Sequence, residues 1–144
     1  MKPLLHLVLA TALLGAASAC SGGSATPAGD VTFPADVYTT ATSDSGSLVV
    51  DVRTSPQPPS RGTNAVQLTV TKAGDGTPVD GLTLDVTPFM PAMDHGTSSP
   101  TVTPQGGGVY LVTDVYLYMP GTWELQTSFS GPATDHATAT LTVP

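Results

Sequence analysis

Apolar and polar residues alternate with a period of two through most of the chain, and no stretch sustains a helical period. In 66-VQLTVT-71, Val66, Leu68 and Val70 share one face, while Gln67, Thr69 and Thr71 share the other. Leu82, Leu84 and Val86 repeat the pattern against Thr83, Asp85 and Thr87. Trp123, Leu125 and Phe129 do so against Glu124, Gln126 and Ser128, and Ala137, Ala139, Leu141 and Val143 against Thr138, Thr140 and Thr142. Each run predicts a strand with one buried face. Trp123 is the expected central aromatic of the core. In 109-VYLVTDVYLY-118 the apolar positions change parity around Thr113-Asp114, which predicts either a bulge or a strand buried on both faces.

Glycine and proline fill the gaps: 73-AGDGTPVDG-81, 104-PQGGG-108, 120-PG-121 and 131-GPATD-135 carry turn chemistry. About seven or eight strands with this punctuation predict an all-β fold, an antiparallel immunoglobulin-like β-sandwich. No cysteine pair flanks Trp123, so the disulfide of a true immunoglobulin domain is missing.

The N-terminal residues break the pattern. MKPLLHLVLATALLGAASAC has one cation, Lys2, then an apolar run from Leu4 to Ala17 and small residues before Cys20, the layout of an export signal. The run is shorter than the roughly 20 residues a membrane-spanning helix needs. Ala17-Ser18-Ala19-Cys20 resembles the lipobox of bacterial lipoproteins, with Ala17 where leucine is usual. That resemblance implies cleavage before Cys20, acylation of its thiol, and attachment to the lipid bilayer on the extracytoplasmic face of a bacterial envelope. Without acylation, Cys20 would be a free thiol on a secreted protein, an unusual feature in an oxidising compartment. The expected organisation is a signal peptide over 1–19, a lipidated cysteine and flexible tether over 20–30, and one folded domain over 31–144. The small, polar composition of SGGSATPAGD is that of a tether.

Charge is sparse and acidic, with 11 Asp and Glu against 4 Lys and Arg. Nucleic acid is excluded as an expected partner, because phosphate binding needs clustered cations.

Apart from Met1, the methionines are Met90, Met93 and Met119. If successive strands reverse direction, the strand ending near Met90 climbs to one pole and residues 91–99 form a loop there. A short strand near 100–103 descends, and the strand 109–118 climbs back to place Met119 at the same pole. Counting backwards puts 55–64 there too, with Arg61 and Asn64 at its flank; counting forwards puts His136 at the opposite pole. None of the three methionines is expected to serve as core filler within a strand. Met90 and Met119 each precede a proline, which restricts their backbones to extended conformations. Thioether sulfur with one imidazole, His95, is a soft donor set suited to Cu(I), or to Ag(I) in its place. Zinc fits less well, since it takes Cys, His or carboxylate and only His95 and Asp94 are at hand. The alternative reading is a methionine cluster that caps the core or offers an adaptable contact surface.

The ordered set Arg61-Gly62-Thr63-Asn64, Gly-x-Pro-Val at 76–79, Met-Pro-x-Met-x-His-Gly at 90–96, Gly108-x-Tyr110 and Met119-Pro120-Gly121-x-Trp123-x-Leu125 resembles the YtkA-like domain and its FixH-like relatives, over about Pro59 to Val143. The resemblance implies an immunoglobulin-like fold. It also implies a bacterial envelope module linked to copper handling, metal efflux or cytochrome oxidase assembly, with Met90, Met93, His95 and Met119 on the family's Met/His motif. Asp94 stands where the family often has glycine. It either adds an oxygen near a metal or only changes the turn.

Two functions are therefore expected. One is a lipid-anchored module that holds Cu(I) through Met90, Met93, His95 and Met119 and exchanges it with an envelope copper-transport or oxidase-assembly partner. The other is a metal-free interaction module that uses the methionine pole as a contact. Catalysis is not expected: the two histidines of the domain fall at opposite poles, and no nucleophile–base or acid–base pair can be assembled.

Overall fold

A computed structural model describes residues 30–144; the expected signal peptide, Cys20 and the tether up to residue 29 lie outside the described residues. The described residues form nine strands: β1 (Thr39–Thr42), β2 (Leu48–Ser55), β3 (Gly62–Lys72), β4 (Thr83–Met90), β5 (His95–Gly96), β6 (Thr101–Gly106), β7 (Val109–Leu117), β8 (Gly121–Ser130) and β9 (Asp135–Val143). They pair antiparallel in two sheets, in the orders β1-β2-β3-β7-β6 and β5-β4-β8-β9. The fold is the all-β sandwich that the period-two pattern predicts. No helix among the described residues is long and apolar enough to cross a membrane.

The alternating residues of β3, β4, β8 and β9 turn inward as read from the sequence. Trp123, Tyr110 and Phe129 are the largest of the fully buried side chains. The structure adds β1, which buries only Ala41, and β2, where Val49 faces outward and Thr54 faces inward. Thr54 is fully buried and its hydroxyl finds no hydrogen-bond partner.

The parity change in β7 is a bulge. Asn64 pairs with Val115 but Val66 pairs with Val112, so β7 carries one residue more than β3 across this step. Asp114 absorbs it with φ +65, a left-handed conformation that aspartate tolerates better than most residues. The bulge returns Val115 and Leu117 to the core, so the strand delivers Tyr118 and Met119 in the right register to the end of the sandwich.

At that end, the upper pole, lie the turns joining β2 to β3, β4 to β6 and β7 to β8. The lower pole is fastened differently. Tyr110 Oη donates to Val79 O at 2.9 Å and accepts from Leu82 N at 3.1 Å, pinning the 73–82 turn to β7. Asp80 accepts from the amides of Gly107 and Gly108 at 3.2 and 2.7 Å.

The buried Asp135 accepts from Ser45 N at 3.2 Å, from the hydroxyl of Ser45, from Ser47 Oγ at 3.2 Å and from His136 N at 2.9 Å. The hydroxyls of Ser43 and Ser45 hold its carboxyl far below the usual carboxylate range. A carboxylate with a depressed folded pKa stabilises the fold above its unfolded value, about 3.9, and that contribution fades as pH falls toward the folded value. Asp135→Asn is thus expected to lower Tm at pH 7, and the gap to wild type is expected to narrow as thermal melts are repeated below about pH 4.

Candidate functional site

The sequence count of strand directions places the loops correctly. Phe89 of β4 pairs with Glu124 of β8, and Thr83 with Ser130, so the end of β4 and the beginning of β8 meet at the upper pole. Between them opens a cleft of about 380 Å³, lined by the segments 90–93 and 119–122. Met90, Met93 and Met119 all line it.

The three sulfurs sit at different depths. Met90 closes β4 and is 3 % exposed, a member of the core cluster. This corrects the expectation that no methionine serves as core filler: the inward parity of β4, set by Leu84 and Val86, extends to its last residue, so Met90 forms the floor of the cleft. Its methyl lies against Gly121, where a Cβ would approach Met90 Cε to 3.2 Å. Gly121 also holds φ +126, a region that side-chain-bearing residues avoid. Its absent side chain leaves the space that the Met90 thioether occupies. Met119 is half-buried and packs against the core from the wall. Met93 is 55 % exposed at the rim.

Residues 91–99, expected as a plain loop, contain more structure. Pro91–Met93 forms one turn of 3-10 helix, with Pro91 supplying a φ suited to its start. Asp94 ends the turn in the left-handed conformation, φ 49, and its amide donates to Pro91 O at 3.2 Å. Asp94 therefore occupies a backbone position that favours glycine. The chain then reverses so that His95 pairs directly with Met90.

Directly paired residues project from the same face of a sheet. His95 is accordingly on the Met90 side, but at the open edge, where it is exposed. Its ring stands edge-to-face with Tyr118, centroids 6.4 Å apart, beside the cleft and not in its lining. Tyr118 in turn stands edge-to-face with Trp123 at 5.1 Å. The three methionines are brought together, and His95, the ladder partner of Met90, stands outside the lining against Tyr118.

The residues expected at the flank have defined partners. Arg61 Nε donates to Tyr118 O at 3.3 Å. Asn64 is buried and holds its own loop, accepting from Ser60 N at 2.9 Å and donating to Ser60 O and Gly62 O. His136 is at the lower pole, beside Ser128 Oγ at 3.0 Å. Two residues that periodicity marks only as core or strand end also belong to the site. Trp123 Nε1 donates to Met119 O at 3.0 Å, and Tyr118 carries the contact to His95. The Met-Pro-Gly-x-Trp spacing signals the first of these.

Among the described residues, no group of three or more His, Cys, Asp or Glu side chains comes together. The donor set at the upper pole is instead rich in thioether. The fold and the cleft define a class: a small antiparallel β-sandwich with a methionine-lined opening between the ends of two adjacent strands. The YtkA-like family matches residues 42–128, a stretch that contains Met90, Met93, His95 and Met119, and the chain belongs to that family. No curated protein and no solved structure matches it.

Proposed function

We propose that the protein is a lipid-anchored envelope module that holds Cu(I) at the upper pole through Met90, Met119, Met93 and His95, for copper handling or delivery to a partner. The observation that carries this reading is the convergence of Met90, Met93 and Met119, separated by up to twenty-nine positions, on one cleft. The donors fit a soft monovalent ion. Thioether needs no deprotonation, so only His95 must remain neutral, and binding tolerates mildly acidic surroundings. A set without thiolate also escapes oxidation to a disulfide in an oxidising compartment. The gradient of exposure suits transfer: Met93 at the rim meets an incoming ion or partner, and Met90 closes the site from below. Attachment through acylated Cys20 would keep the module at the membrane, and the tether would give it reach toward an envelope copper-transport or oxidase-assembly protein.

The test is titration of the purified full chain with Cu(I) against a competing chelator, for wild type and for Met90→Leu with Met119→Leu. Binding that the double variant leaves unweakened would remove the proposal.

The exposure of Met93 favours a second reading, a metal-free contact surface for an efflux or oxidase-assembly partner. Under that reading, the partner remains bound after chelation and is lost on Met93→Glu. Under the copper reading, chelation itself alters the complex.

A further inference from the structure

Met119 sits on a three-residue connection, 118–120, between β7 and β8. A connection so placed has no ladder partners of its own, and the direction of its side chain depends on what holds its peptide groups. Two successive carbonyls of this segment are each held by a side chain from elsewhere: Tyr118 O by Arg61 Nε at 3.3 Å, and Met119 O by Trp123 Nε1 at 3.0 Å. The ring of Tyr118 is further held between Trp123 and His95. Arg61 is itself fixed from behind, because Asn64 folds the 60–62 backbone around its side-chain amide.

From this arrangement we infer that Arg61 and Trp123 are positioning residues for the methionine cleft: they orient the Tyr118–Met119 peptide groups and so aim the Met119 thioether at Met90, with Tyr118 aligning His95 beside it. This gives Arg61 and Trp123, neither of which lines the cleft, a role in its ligand binding. The inference rests on the Cu(I) reading for its effect on affinity, but the conformational part stands without metal.

Arg61 is the better site to test, since its side chain is exposed and its loss leaves the core intact. Arg61→Gln is expected to weaken Cu(I) binding about tenfold, the lower end of what residues supporting a metal ligand typically contribute. Arg61→Lys, which retains a donor able to reach the Tyr118 carbonyl, is expected to recover most of the loss. A purely electrostatic role predicts the opposite sign, because removing a cation near the site favours a bound cation. Tighter binding by Arg61→Gln, or unchanged binding, would overturn the inference.

A second readout separates this proposal from the copper reading. In the metal-free full chain with 13C-labelled methionine methyls, Arg61→Gln is expected to shift and broaden the Met119 resonance and leave that of Met90 in place. Trp123→Phe, which keeps an aromatic ring but no N–H, is expected to do the same. An unmoved Met119 resonance in both variants defeats the positioning role even if copper binds. A moved resonance supports it even in a protein that proves not to bind copper.

Discussion

Gly108→Ala is expected to destabilise the protein by about 2–5 kcal/mol, through left-handed strain and steric overlap together. Gly108 holds φ +73, which an L side chain adopts at a cost of about 1–2 kcal/mol. A Cβ there would also lie 2.6 Å from Val70 O, 3.0 Å from Pro78 Cβ and 3.1 Å from Val79 N. The first and last are backbone atoms bonded to each other, Val70 O accepting from Val79 N at 3.0 Å, and Val70 N donates to Gly108 O at 2.8 Å. They cannot yield without breaking those bonds. Gly107 supplies the control. It has φ +64 and nothing within 4 Å of its Cβ position, so Gly107→Ala bears only the conformational cost, about 1–2 kcal/mol. Chemical denaturation of the two variants measures the difference directly. Equal midpoints would show that the close approach at Gly108 has no energetic weight.

The methionines are expected to divide by depth. Met90→Ala empties the floor of the cleft and the top of the core, and is expected to cost about 2–5 kcal/mol of stability. Met93→Ala, at the rim, is expected to change stability by less than about 0.5 kcal/mol. Met90→Leu conserves volume and should remain within about 1.5 kcal/mol of wild type, so it removes the sulfur without removing the fold. Combined with Met119→Leu, it is expected to lower Cu(I) affinity by at least about 100-fold, since even residues that only support a ligand commonly contribute about 10–100-fold. Melting curves and chelator competition on the same preparations separate the two effects. A double variant that melts like wild type and binds copper equally well would make the cluster a core cap and nothing more.

These predictions differ in how far the sequence alone anticipates them. The strands of β3, β4, β8 and β9 are legible because each buries one face, and strict alternation is what a half-buried strand requires. β1 and β2 are harder to read, since β1 buries a single alanine and an outward valine and an inward threonine blur the alternation of β2. Counting strand reversals was enough to bring Met90, Met93 and Met119 to one pole, because antiparallel neighbours leave the chain little choice of direction. It was not enough to set their depth. Whether Met90 points into the core depends on β4 remaining a regular strand, with the inward parity of Leu84 and Val86, as far as its final residue.

The chain's own pattern determined an all-β sandwich with Trp123 in its core, the pole at which the methionines gather, and the opposite placement of His136. These follow from local alternation and turn chemistry, which act between neighbours along the chain. Only the tertiary structure decided that β7 bulges at Asp114, that Met90 is the floor and Met93 the rim, that His95 stands against Tyr118 outside the cleft lining, and that Arg61 holds the Tyr118 carbonyl. Each of these depends on a contact between residues far apart in sequence. Such contacts are fixed by the register of two strands or the space beside a glycine such as Gly121, and neither is written in any single segment.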